Sequence, residues 1–270
     1  MKKVIFSTVF VFLVSCGEHP KTQASEEQEV EQKEESVKVF SRNMELAKVL
    51  EAHGGIEHWK RMGTLVFEIP KGEEPEKHTI DLHSRKDKIE MGQVALGFDG
   101  KDVWIKDKEE IYQGDPAFYH NLMFYFQAMP FVLADPGIRY GKTSDLVFEG
   151  KTYPGISVRY DEGVGTSYKD EYFLHYDPNT YRMAWLGYTV TYGSNKKSDD
   201  VRWIRYTDWV NEQGLLLPKS LTWHAYANSE IGPPKNTLLF EGISLGEAPR
   251  PASFYQIPDG GKTLVTMEEN

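Results

Sequence analysis

Cysteine is almost absent from this sequence. The single one, Cys16, excludes an intramolecular disulfide and a cysteine-built zinc site. Long apolar runs are missing as well. The longest, Val4 to Val14, is too short to cross a bilayer as a helix. Positive charge is in deficit, with 31 Lys and Arg against 41 Asp and Glu, a net charge of −10. That balance removes the basic footprint through which proteins hold nucleic acid. No internal repeat of fixed period occurs, which argues against a propeller or a solenoid. There is no Gly-x-Ser-x-Gly elbow and no phosphate-binding loop. The eight histidines form no pair with zinc-like spacing. His53 and His58 are separated by Gly54-Gly55, and His78 and His83 fall on opposite faces of a strand. No metal and no cofactor is expected.

What is abundant is aromatic: 15 Tyr, 14 Phe and 6 Trp, 13% of a chain of 270 residues that is otherwise ordinary in its 40% hydrophobic and 27% charged content. Aromatic residues favour strands and large apolar interiors.

The first residues read as an export signal over 1–15, with Lys2 and Lys3 before the short apolar run. The run ends Leu13-Val14-Ser15-Cys16-Gly17, which resembles the lipobox of bacterial lipoproteins, cut before a cysteine that becomes acylated. Acylation of Cys16 makes the membrane the first expected partner, since each buried CH₂ of an acyl chain contributes about 0.8 kcal/mol. Residues 16–40 form the lipidated end and an acidic tether with almost no apolar residue, too polar to repay the entropy of ordering.

An ordered domain is expected over 41–257, with 258–270 as a tail. Ser41 is an acceptable N-cap, Met44, Ala47 and Leu50 mark one helix face, and Gly54-Gly55 ends the helix. Ile56, Trp59 and Met62 share a face of a second, short helix. From Thr64 the hydrophobic period becomes two. Strands are expected at Thr64–Ile69, Thr79–Ser84, Lys88–Met91 and Val103–Ile105, with a hairpin at Asp99-Gly100. Seven more follow at Leu146–Phe148, Ile156–Tyr160, Glu171–Tyr176, Met183–Tyr192, Val201–Trp209, Leu215–Tyr226 and Thr237–Leu245. Met183–Tyr192 is apolar on both faces and so belongs at the centre of a sheet covered on both sides.

Between these blocks lies the most apolar stretch. Asp115 suits an N-cap, Pro116 the first helical position, and Pro130 a stop, which predicts one helix of about 14 residues, roughly 21 Å long. Phe118, Leu122, Tyr125 and Met129 lie on one face; Tyr119, Met123 and Phe126 lie beside them. A helix this apolar needs cover on most sides. The expected fold is therefore mainly β with helices (α+β), a large curved antiparallel sheet, an open half-barrel, wrapped around that helix.

The lipobox, the tether, His53-Gly54-Gly55-Ile56 with Trp59, Gly97-Phe98-Asp99-Gly100-Lys101-Asp102-Val103-Trp104, the stretch from Tyr119-His120-Asn121 to Pro130-Phe131, and Gly214-Leu215-Leu216-Leu217-Pro218 together resemble a bacterial lipoprotein family of unknown function. The resemblance covers roughly residues 41–257. More distantly the chain is similar to the outer-membrane lipoprotein carrier and receptor proteins. That likeness implies an open β-barrel around helices with an apolar cavity for acyl chains, and a place in the cell envelope, at the outer membrane. The soluble carrier lacks a lipid anchor, so the anchored receptor is the nearer parallel. None of the carrier's ligand-contacting residues is carried over to this sequence.

Three functions stay open. The first is binding of a lipid or acyl chain by Phe118, Leu122, Tyr125, Phe126 and Met129 together with Trp104, Trp185, Trp203 and Trp223, which otherwise simply fill the core. The second is a non-catalytic scaffold that recruits envelope partners. The third is a hydrolase using Asp or Glu with His120 or His175. His120 sits on the most buried helix, where an acid or a backbone carbonyl is its ordinary partner. The acids Asp161-Glu162 and Asp170-Glu171 flank Gly163-Val164-Gly165, a loop that offers oxygen ligands or simply solvated charge.

Overall fold

A computed structural model describes residues 44–161, 169–192 and 196–264. The chain divides into two units, Met1–Lys38 and Val39–Asn270. The signal, Cys16, the tether, Ser41 and the loop residues Glu162, Gly163, Val164 and Gly165 lie outside the described residues.

Helix α1 runs over 44–52 and α2 over Ile56–Trp59. The buried face of α1 is Leu46, Val49, Leu50 and then His53, rather than Met44, Ala47 and Leu50; Met44 is exposed. Both sets fit a helical period, but only the former spans i, i+3, i+4 and i+7 with large side chains on sheet cover. Gly54 sits at φ 105°, where a Cβ would collide with the Gly214 carbonyl oxygen, and Leu216 N–H donates to the His53 carbonyl at 2.9 Å. This ties the helix end to a later turn.

A meander follows: β1 Thr64–Ile69, β2 Glu76–Asp81, β3 Asp87–Met91, β4 Val94–Phe98 and β5 Val103–Lys106. The expected single helix is broken in two, α3 Pro116–Tyr119 and α4 Leu122–Gln127, followed by a 3-10 turn at Phe131–Ala134. Asp115 does cap α3, accepting from the Ala117 and Phe118 amides. The break falls at His120-Asn121, where His120 ends α3 and lies 2.7 Å from a carboxylate on β3, and Asn121 (φ −112°, ψ −3°) starts α4 without a side-chain cap. Two weak helix formers make the interruption cheap, and the tertiary contact of His120 fixes it there.

The second half holds β6 Ile138–Lys142, the hairpin β7 Leu146–Phe148 and β8 Lys151–Tyr153, β9 Gly155–Tyr160, β10 Glu171–Tyr176, β11 Met183–Tyr188, β12 Arg202–Glu212, β13 Leu215–Ala227, β14 Glu230–Leu239 and β15 Glu241–Gly246. A 3-10 turn at Ala252–Tyr255 and β16 Lys262–Thr263 close the described chain.

The strands make two seven-stranded antiparallel sheets, β15-β1-β2-β3-β4-β5-β16 and β14-β13-β12-β11-β10-β9-β6, plus the β7–β8 pair. The stretch read as one strand, Thr237–Leu245, is two: at buried Phe240 the chain leaves β13 and joins β1. One bent segment thus sews the sheets together, and the outer strands β6 and β16 do not pair among the described residues, so the wall stays open. One apolar cluster takes Leu65, Phe67, Ile69 and Ile80 from the first sheet, Ile156, Leu174, Leu186 and Ile204 from the second, and Phe124, Phe126, Met129 and Phe131 to Leu133 from the segment between them. Each such side chain, buried to near completion, contributes about 1.5–3 kcal/mol. The aromatic segment therefore lies in the hollow of a bent β-wall, and β11 is central and covered on both faces, as its apolar pattern requires.

Candidate functional site

The segment from Asp115 to Asp135 is pinned by polar contacts to β2, to β3 and to the turn between them. The Tyr119 hydroxyl donates to Glu76 Oε1, His120 Nδ1 lies 2.7 Å from Asp87 Oδ2, and Arg85 gives Asp135 two hydrogen bonds of 2.8 Å. The Arg85 guanidinium also lies 5.0 Å over the Phe124 ring.

Glu76 is 1% exposed, yet it stays ionised. Burial alone raises its pKa; hydrogen bonds from His78 Nε2 at 2.7 Å, Lys71 at 2.6 Å and Tyr119 outweigh it and hold the carboxyl at about 2. His78, stacked 4.5 Å from Phe67, is pushed down by burial despite that carboxylate. Asp87 behaves oppositely. Burial pushes it up to about 6, against the hydrogen bond and charge of His120. From sequence, His78 is weighed only against His83 as a zinc pair, and Glu76 is passed over. The spacing of two between Glu76 and His78 puts both on one strand face, the signal that could have found them.

On the other side of the segment the second sheet offers an aromatic wall. Phe126 meets Tyr188 at 5.4 Å and Trp223 at 5.8 Å, Trp223 Nε1–H donates to the Tyr188 hydroxyl at 3.0 Å, and Tyr160 meets Tyr172 at 5.8 Å. The Tyr206 hydroxyl donates to the Phe126 carbonyl and that of Tyr140 to the Leu133 carbonyl. Burial raises the pKa of Tyr125, Tyr160, Tyr172 and Tyr188, so these phenols are neutral over the physiological range. The wall is aromatic and partly open, with Arg202 beside Tyr188 at one margin and the Arg85–Asp135 pair at another; Phe118, Leu122, Met123, Tyr125, Tyr160, Tyr172 and Trp223 are only half-buried.

The nine expected ligand contacts do not share one surface. Phe118, Leu122 and Tyr125 rim the hollow, Phe126 and Met129 are core, and Trp223 faces Phe126. Trp104 lies on the outer face of the first sheet, its Nε1–H donating to the Tyr255 carbonyl at 2.9 Å. Trp185 and Trp203 lie on the outer face of the second sheet, with Phe148 of the β7–β8 hairpin 4.8 Å from Trp185. The pleat explains the split: Trp223 is paired with Ile204 and Trp203 with His224, so the two indoles point to opposite faces.

His120 and His175 belong to different places. His175 is buried on the outer face, with Nδ1 3.1 Å from the Tyr153 carbonyl. Asp161 pairs with Arg139, Glu171 with Arg159 at 2.9 Å, and Asp170 accepts the Thr191 amide at 2.7 Å. Asp161 and Glu171 are thus engaged by neighbouring strands and Asp170 by the chain that follows β11. Among the described residues no group of three or more His, Asp and Glu is placed to hold a metal ion.

A family model described as "Family of unknown function (DUF6503)" matches residues 92–211. No curated protein matches the chain. Among solved structures, a LolA superfamily protein from Nitrosomonas europaea is similar at 11% identity and a TM-score of 0.46, over 77% of this chain and 96% of that one. A putative outer membrane lipoprotein-sorting protein domain from Vibrio parahaemolyticus is similar at 9% identity and 0.38, over 72% and 93%. A DUF1329 family protein from Desulfovibrio piger is similar at 6% identity and 0.40, over 73% and 91%. These are the two kinds of likeness that the motifs implied.

Proposed function

We propose that this chain is a bacterial envelope lipoprotein, anchored through acylated Cys16 at the outer membrane, that binds a lipid or acyl chain between α4 and the concave face of the second sheet. The observation that carries this reading is the neutral aromatic wall of Phe126, Tyr160, Tyr172, Tyr188 and Trp223, rimmed by half-exposed Phe118, Leu122 and Tyr125. An acyl chain laid there exchanges water for aromatic faces, at about 0.8 kcal/mol per CH₂ buried. The charges that border the wall, Arg202 beside Tyr188 and the Arg85–Asp135 pair, sit at its margin.

The test is a titration of the purified mature protein with a fluorescent fatty acid. Saturable uptake is expected, weakened at least tenfold by Leu122→Asp, which puts a charge on the rim at a side chain that is only half-buried against the core; circular dichroism checks that the variant is folded. A folded wild type that takes up no probe rejects the reading. That outcome favours the second one, a non-catalytic scaffold, which draws support from the near-complete burial of Phe124, Phe126, Met129 and Phe131 to Leu133.

A further inference from the structure

The outer face of the second sheet carries a groove of about 1050 Å³ that the lipid-binding reading does not use. Its floor is the outward pleat of β12 to β14, where Arg205, Thr222 and Thr237 are cross-strand neighbours. The Thr222 and Thr237 hydroxyls lie 3.0 Å apart. One wall is β7; the other is the chain from Ser229 into the first residues of β14.

The β7 wall has a free backbone edge. Among the described residues β7 pairs with β8 alone. The turn between them is Glu149-Gly150, at φ 50° and 74°, the tight two-residue geometry of a type I′ hairpin. Such a turn makes Phe148 and Lys151 a hydrogen-bonded pair, so the next pair, Val147 and Thr152, is the non-bonded one. The N–H and C=O of Val147 therefore face away from β8, along the edge that borders the groove. The Val147 side chain is 63% exposed. The opposite wall is closed to pairing, because Pro233 and Pro234 carry no N–H and Lys235 follows them.

Charge selects the occupant. Asp145, Glu149 and Glu230 surround the groove. Arg205 is the cation facing them, and it is already held between the Phe148 and Trp185 rings, 4.9 and 5.5 Å away, with Glu149 at 3.9 Å. The groove is thus acidic toward anything that enters it.

We propose that this groove docks an extended, basic, proline-free segment of a partner protein, which adds to the free edge of β7 as a third strand and lies across the threonine floor. Backbone bonds to Val147 supply affinity and the acidic rim supplies selection by charge. A two-stranded hairpin is marginal on its own, and a third strand completes it.

Panning a display library of random nine-residue peptides on the purified mature protein tests this. The enriched peptides are expected to be rich in Lys and Arg and free of Pro. Their binding should fall at least tenfold in Val147→Pro, which removes the outward N–H and spares the bonds to β8, and persist in Val147→Thr. Circular dichroism checks that each variant is folded. Should the proline variant unfold, the double variant Asp145→Lys, Glu230→Lys carries the test, with the same tenfold loss expected. Failure to enrich any peptide, enrichment without basic character, or binding indifferent to both the proline and the charge reversal overturns the proposal. None of these outcomes bears on fatty-acid uptake at the concave face.

Discussion

His120 Nδ1 lies 2.7 Å from Asp87 Oδ2, and this buried contact sits where the aromatic segment breaks between its two short helices. The break places Phe124 and Phe126 in the core and leaves Phe118, Leu122 and Tyr125 at the rim.

The contact makes stability depend on pH in a direction set by Asp87. Burial lifts its folded-state pKa from 3.8 to about 6. Between those values the folded protein keeps a proton that the unfolded chain has lost. This group's contribution is therefore fully present below about pH 4 and is lost as pH rises through about 6. Asp87→Asn lacks the titration, so its stability relative to wild type should rise by up to about 3 kcal/mol between about pH 4 and 7. Urea melts at both ends of that range check it; a gap that does not change with pH contradicts it.

Glu76 runs the other way. Its folded pKa is depressed from 4.5 to about 2, so its contribution is present above about pH 4.5 and lost as pH falls through about 2. Glu76→Gln weakens the acceptor for Lys71, His78 and Tyr119 together. A loss of about 2–4 kcal/mol at neutral pH is expected, since hydrogen bonds to a charged group contribute about 1.5–3 kcal/mol each and a neutral amide retains part of them. The gap to wild type should shrink in acid.

Gly54 tests the joint between α1 and the turn preceding β13. At φ 105°, with the site of a Cβ only 2.2 Å from the Gly214 carbonyl oxygen, Gly54→Ala meets both backbone strain and a collision. A destabilisation beyond about 1 kcal/mol, visible as a lower melting temperature, is expected.

The outer aromatic layer should matter for stability and not for lipid uptake. Trp185 is fully buried between the second sheet and the hairpin. Trp185→Ala should cost about 3–5 kcal/mol. The milder Trp185→Phe should leave fatty-acid affinity at the concave face within twofold, measured with the fluorescent probe. A large loss of affinity would tie this layer to the concave site.

Much of the fold is legible in the sequence because period-two alternation survives wherever one sheet face is buried. Thr64–Ile69, Leu146–Phe148 and Glu171–Tyr176 are read to the residue, and the Asp99-Gly100 turn falls where its chemistry demands. The switch at Phe240 is not legible, since a strand that changes sheets keeps its local pattern. β6 and β8 are missed because Ile138–Lys142 and Lys151–Tyr153 are too polar or too short to show alternation. The helix break depends on a carboxylate 33 residues away. For the candidate site, the aromatic segment is visible from composition alone, but which tryptophans face it depends on strand parity, and Trp203 and Trp223 differ only by register.

Photo-crosslinking of the mature protein with a diazirine-bearing palmitate, read by peptide mass spectrometry, tests the central claim most directly. Adducts are predicted on the concave rim, at Phe118, Leu122, Tyr125, Tyr160 or Tyr172, and they should vanish under excess unlabelled palmitate. Adducts confined to the outer face around Trp185 and Trp203, or none that competitor removes, would contradict it.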